Sequence, residues 1–228
     1  MIFYTMPKNW VSGTIGLLTL LTSFYAAAGG VGVGATRVIY PAGSKQISLS
    51  VNNTDENHVY LIQSWIERAD STVDSNFIIT PPLFQMKKKS ENTLRLIYTG
   101  PALATDKETL FWVNVKAIPA KNTNTKDQNT LQLAVVSRIK LFYRPSQLPM
   151  SSFEAPYKIT SQLQGHELTL SNPTPYFVNL VKLKTGSAVL PNTMLPPGTD
   201  IKLSLPAESI GELSYHAIND YGASIKIK

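Results

Sequence analysis

The longest stretch of strict alternation in the chain lies at residues 129–145, NTLQLAVVSRIKLFYRP. Leu131, Leu133, Val135, Ile139 and Leu141 share one parity, broken only by Ser137, while Gln132, Arg138 and Lys140 share the other. A period of two predicts a β-strand. Over residues 131–142 it would reach about 40 Å, where an ordinary strand has roughly five to six residues. A strand that long either joins two domains or offers part of its length to something else. The plainer alternative is a long core strand with a solvated basic end. Pro145 stops it, because proline cannot donate to a central ladder.

Shorter alternating runs fill the preceding chain. GVGVG at 30–34 reads as a flexible or edge segment leading into 35–40 (ATRVIY), and clean alternation returns at 46–52 (QISLSVN). Residues 59–67 (VYLIQSWIE) form another strand, with Trp65 available as a core anchor. FIITPPLF at 77–84 is broken by Pro81-Pro82, which a central strand would not tolerate, so it marks an edge or a strand that changes sheet. A cis bond before one of these prolines fits the pattern without being fixed by it. Strands follow at 92–98 and at 108–118, the latter carrying Trp112, and 119–128 (PAKNTNTKDQ) is a polar connection. Short, regularly spaced strands with no amphipathic helix predict an antiparallel sandwich. Residues 146–156, rich in Pro and Ser, then break the composition. A second all-β unit follows, with strands expected at 157–162, 166–172, 176–184, 201–205 and 212–219 and turns at 172–176 (NPTPY) and 195–198 (LPPG).

Composition narrows the class. A chain of 228 residues has room for two ordinary domains, and 43% hydrophobic with 16% charged residues suits a folded protein. The absence of cysteine excludes disulfides, thiol nucleophiles and Cys-ligated metals. At the N-terminus one charge, Lys8, precedes an apolar run at 13–25 and then Ala26-Ala27-Ala28. That order predicts a secretory signal peptide over 1–28, with the mature chain starting at Gly29 or Gly30. The apolar run is shorter than the roughly 20 residues of a membrane span. Losing Lys8 lowers the formal charge from +6 to +5. The basic residues are dispersed, which argues against a nucleic-acid partner.

Chemistry finds little footing. His58, His166 and His216 are too far apart in sequence to suggest a metal site. The glycines at 30–34 lack the strand and helix that a dinucleotide fingerprint requires. Neither a G-x-S-x-G elbow nor a P-loop occurs. No catalytic residue and no cofactor are therefore expected, and the chain does not read as an enzyme.

A family resemblance lies in GATRVIYPAG (34–43), LIQSW (61–65), TPPLF (80–84), ENTLRL (91–96), LFWVNVKAIP (110–119), the 129–145 strand, NPTPY and NDYGA (219–223). Together they resemble the PapD-like periplasmic pilus chaperones over essentially all of the mature chain. Within that family the resemblance is strongest to the type 1 fimbrial chaperones, and the short connection at 119–130 fits the short-loop branch that assembles adhesive rod pili. The resemblance implies two immunoglobulin-like domains, here 29–147 and 148–228, that meet at an angle around a cleft. It implies donor-strand complementation, in which Leu131, Leu133 and Val135 fill the open groove of a pilus subunit that lacks its last strand. Arg37 and Lys140 would grip the subunit's C-terminal carboxylate, and Glu108, Arg144 and Asp220 would form a salt-bridge network that fixes the domain angle. Such a chaperone works in the periplasm without ATP or metal and hands subunits to an outer-membrane usher. Self-association of the free chain through the same strand stays open. The rival is a secreted adhesive or structural pilus subunit with tandem immunoglobulin-like domains, which should carry its own donor extension and often a disulfide. One tension stands: Lys140 has the opposite parity from Leu131, Leu133 and Val135, so the strand must twist, bulge or change sheet if all serve one subunit.

Overall fold

A computed structural model describes residues 29–120, 131–206 and 211–228. The expected signal peptide (1–28) and most of the polar connection at 119–130 lie outside the described residues. The first nine strands are β1 (Val31–Val33), β2 (Arg37–Pro41), β3 (Ile47–Asn53), β4 (Tyr60–Arg68), β5 (Phe77–Thr80), β6 (Leu83–Met86), β7 (Ser90–Tyr98), β8 (Thr109–Pro119) and β9 (Val135–Arg144). They form two sheets, β1-β3-β7-β5 and β2-β9-β8-β4-β6. Inward side chains of both sheets meet in one core, with Val51, Leu94 and Leu96 from the first and Ile62, Val113 and Leu141 from the second, all fully buried.

The chain passes between these sheets repeatedly, and at two of the crossings the sequence carries a mark. After edge strand β1 it crosses at residues 34–36 and enters β2. Gly34 leaves room there, since a Cβ would sit 2.0 Å from the Ser50 hydroxyl and oblige it to turn away. The other marked crossing is the Pro81-Pro82 pair, which separates β5 in one sheet from β6 in the other, with a cis bond between Thr80 and Pro81.

The second sandwich follows residue 154. A 3-10 turn at Ala155–Lys158 with proline in its first turn replaces the early part of the strand expected at 157–162. The strands are β10 (Thr160–Gln164), β11 (Glu167–Asn172), β12 (Val178–Thr185), β13 (Ala188–Val189), β14 (Thr193–Leu195), β15 (Thr199–Ser204), β16 (Leu213–Ile218) and β17 (Ser224–Lys226). One sheet runs β10-β11-β15; the other runs β13-β12-β16-β17, with β14 also paired to β12. Its separate core includes Leu170, Leu180, Leu183 and Leu195. The short strands β13, β14 and β17 escape a periodicity reading because two or three residues hold no full period.

Two expectations need correction. Trp65 is not a core anchor: on β4 the even positions Ile62, Ser64 and Ile66 face the core, and Trp65 lies half-buried on the other face. The long strand starts at Val135 and not at Leu131. Pairing with β8 runs out at Ala117↔Val135, so residues 131–134 have no neighbouring ladder among the described residues.

Leu141 and Leu133 share a parity but differ wholly in burial, at 0% and 68% exposed. Leu141→Ala is expected to cost about 2–5 kcal/mol of stability in urea denaturation, and Leu133→Ala to stay within about 0.5 kcal/mol. Equal losses would place Leu133 in the core of the free protein.

Candidate functional site

Strand β9 is flanked unequally. On one side it pairs antiparallel with β8 from Val135 to Tyr143 without a register break. On the other it pairs in parallel with β2 over residues 140–144 only. The backbone at 135–139 therefore has one edge with no strand beside it among the described residues. Leu131, Leu133 and Val135 are 85%, 68% and 62% exposed. They share the parity of buried Leu141, so they continue the core-facing row of the strand past the end of the sandwich. The expected bulge or change of sheet before Lys140 is absent. Lys140 belongs to the opposite face, which looks toward the second sandwich.

The parallel pairing sets Arg37 and Lys140 directly beside each other. Both line a cleft whose far wall is Asn179, Leu180, Val181, Thr193 and Ile218 of the second sandwich. Arg37 donates from Nη1 to the Ile218 carbonyl at 3.2 Å, and its buried Nε has no acceptor among the described residues. Lys140 donates to Oδ1 of Asn179, whose buried amide nitrogen has no partner among the described residues. Neither cation forms an ion pair among the described residues. Burial weakens the Arg37 charge, and the carboxylates of Asp220 and Glu108 oppose that effect. Burial, then the Arg37 charge, lowers the Lys140 ammonium below the usual lysine range. Two half-buried cations that form no ion pair among the described residues make a site receptive to a carboxylate, which would accept charge-assisted hydrogen bonds from both.

Behind this pair, at the C-terminal end of β9, Arg144 joins the two sandwiches. Its Nε lies 2.7 Å from Glu108 Oε1, and its two terminal nitrogens lie 2.7 and 2.8 Å from the Asp220 carboxylate. Glu108 sits just before β8, and its other oxygen accepts the Phe177 amide proton at 2.8 Å. Asp220 lies in a turn shaped by Asn219, whose side chain accepts from the Tyr221 and Ala223 amides, and by Gly222 at φ +85°. Ser152 donates to Asp220 at 2.9 Å. Phe142 stacks on Phe177 beside the network, with ring centroids 5.4 Å apart. Burial pushes the Glu108 carboxyl up, with Arg144 and the Phe177 amide pulling back. Burial opposes the Asp220 charge too, but the hydrogen bonds and charge of Arg144 outweigh it and hold that carboxyl below the usual aspartate range. The structure thus brings Glu108, Arg144 and Asp220 together.

Sequence reasoning did not bring Asn179 or Trp112 to the cleft, which both line. Trp112 lies under Arg138, with the guanidinium 4.4 Å from its ring. The Trp112–Lys140 pairing was in principle available from antiparallel register; Asn179 carried no signal, since it is one polar residue in a second-domain strand.

Two family models cover nearly all of the described chain. Residues 30–149 match "Pili and flagellar-assembly chaperone, PapD N-terminal domain", and residues 154–228 match "Pili assembly chaperone PapD, C-terminal domain". The chain is 49% identical over 211 residues to the chaperone protein FimC of Escherichia coli strain K12, covering 91% of this chain and 88% of FimC. It is also 49% identical over 211 residues to FocC of Escherichia coli, covering 91% and 93%. Among solved structures, the periplasmic chaperone SfaE matches with a TM-score of 0.75 at 48% identity, over 86% of this chain and 98% of that one. A chain in the complex of Salmonella enterica SafA pilin with the SafB chaperone matches with a TM-score of 0.78 at 33% identity, over 86% and 92%.

The hinge network has a testable pH signature. A depressed carboxyl such as Asp220 contributes stability that is present above the ordinary aspartate range and lost as pH falls through its folded value. Raised Glu108 has the opposite sign. Asp220→Asn is expected to cost roughly 1.5–3 kcal/mol at neutral pH. Its melting temperature should also fall less steeply on acidification below about pH 4 than that of wild type. Parallel acid limbs would remove Asp220 from the account.

Proposed function

The chain belongs to the PapD family of pilus-assembly chaperones, and from that premise we propose how its surfaces act. It is a chaperone for pilus subunits and is built from two immunoglobulin-like domains, whose boundary we place between residues 147 and 148. Its relatives are chaperones and not enzymes, and its own work is binding: no bond is made or broken, and neither nucleotide nor metal is required. We place it in the periplasm, reached through the signal peptide at 1–28, in keeping with the periplasmic description of SfaE.

The observation that carries the mechanism is the exposed, alternating apolar row at Leu131, Leu133 and Val135 beside a free strand edge. An edge of this kind is an aggregation hazard when it has no partner. A subunit whose sheet lacks a strand supplies one. Main-chain hydrogen bonds along 131–139 give affinity, and the alternating side chains enter the subunit's groove, where each buried one contributes about 1.5–3 kcal/mol. The subunit's C-terminal carboxylate ends between Arg37 and Lys140, which sets the register of the added strand. Glu108, Arg144 and Asp220 keep the second domain opposite that site. The loaded chaperone then delivers the subunit to an outer-membrane usher. The reading as a tandem-domain adhesive or structural pilus subunit is not favoured, since both halves match chaperone domains.

Leu133→Glu is expected to melt as wild type does and to lose capture of a pilin lacking its donor strand by about a hundredfold or more, because a carboxylate cannot enter a dry groove cheaply. Lys140→Ala should also stay folded and weaken capture by roughly 2–5 kcal/mol. An unfolded Leu133→Glu protein would return this row to an ordinary core strand. Undiminished capture by Lys140→Ala would remove Lys140 from the carboxylate site.

A further inference from the structure

The cleft-facing side of the first-domain sheet carries a row of four side chains across four strands. Register sets Glu67 on β4 opposite Trp112 on β8, Trp112 opposite Lys140 on β9, and Lys140 beside Arg37 on β2. Arg138, one step along β9 on the same face, lays its guanidinium over the Trp112 ring at 4.4 Å. It also reaches Glu67 Oε2 at 2.9 Å and the Ser71 hydroxyl at 2.9 Å. The second oxygen of Glu67 accepts from Trp65 Nε1 at 2.8 Å. The Lys140 ammonium lies 6.0 Å from the centre of the same Trp112 ring.

On this face Arg37, Arg138 and Lys140 therefore gather around Trp112, and the carboxylate beside them, Glu67, is committed to Arg138. Asp220 and Glu108 act on Arg37 from the hinge. Lys140 faces Arg37, the Trp112 ring and Asn179. Burial and Arg37 both work against its charge. A lysine side chain in that position has every reason to swing out to water while the cleft is empty. What opposes this is the negative face of an indole, which attracts an ammonium within about 6 Å, together with the Asn179 carbonyl oxygen.

We infer that Trp112 is a positioning residue for the carboxylate site: its ring keeps Lys140 charged and aimed into the cleft before a subunit arrives, and Arg138 and Glu67 fix the ring. The inference rests on the reading that Lys140 and Arg37 receive a carboxylate. Pre-ordering one of the two cations lowers the ordering cost that binding must meet. A ring that served only as packing would leave the acid preference of the site untouched.

The test compares wild type, Trp112→Leu and Trp112→Phe, using a peptide with a pilin's C-terminal sequence prepared as free acid and as C-terminal amide. In wild type the free acid binds more tightly, and Trp112→Leu reduces that acid-over-amide preference by roughly three- to tenfold, with Trp112→Phe keeping most of it. Independently of any peptide, NMR of the Lys140 ε-methylene in the free protein should show signals displaced upfield by the ring. Their titration should move to lower pH in Trp112→Leu. Undisplaced wild-type signals, an unmoved titration, or a preference that survives Trp112→Leu would each overturn the role of Trp112. Equal binding of acid and amide by wild type would instead overturn the carboxylate reading, and the lysine signals would still decide the role of Trp112.

Discussion

The arrangement depends on how strand β9 shares its two edges. Nine of its residues pair with β8, and five pair with β2. Because the first strand begins in the other sheet and crosses at Gly34, β2 reaches only the C-terminal half of β9. Among the described residues the N-terminal half keeps an unpaired row of backbone donors and acceptors, with apolar side chains standing beyond the reach of the core. The same crossing puts Arg37 next to Lys140, since the parallel pairing starts there. A full-length β2 would have closed the edge and made an ordinary sandwich.

The second dependence is at the other end of β9. Arg144 closes the strand and takes one carboxylate from each domain, Glu108 and Asp220. Exposed ion pairs are worth at most about 1 kcal/mol each, but here Glu108 is buried and backbone-bonded to Phe177, so the geometry is constrained from both sides. Charges removed from water in this way are weak evidence of net stability. In the same arrangement Asn179 and Ile218 lie against the two cleft cations. One ten-residue strand thus carries the open edge, the cation and the hinge in order along its length.

Much of the fold was legible in the chain. Alternation located the long strands, and Pro81-Pro82 marked the change of sheet from β5 to β6. Residues 34–43, 129–145 and 219–223 pointed to the site residues through their family resemblance. What failed did so for physical reasons. Alternation cannot say which parity faces inward, so Trp65 was placed in the core although Ile62 and Ile66 on the opposite parity fill it. Alternation also persists where no partner strand exists, so Leu131 and Leu133 were read into a strand that begins at Val135. Leu133 and Lys140 differ in parity because the row of Leu133 continues the core-facing side past the end of the sandwich, whereas Lys140 faces the cleft. Asn179 was invisible because its meaning lies in the opposed domain, which sequence spacing does not describe.

Hydrogen exchange along β9 tests the central claim most directly. The amides at 131–139 that point away from β8 should exchange quickly in the free protein, and those at 140–144 slowly, since β2 already covers them. On binding a pilin that lacks its donor strand, the account predicts that residues 131–139 slow by orders of magnitude along a continuous stretch. A saturated complex in which these amides stay as fast as in the free protein would contradict it, for the subunit would then be held without borrowing the strand.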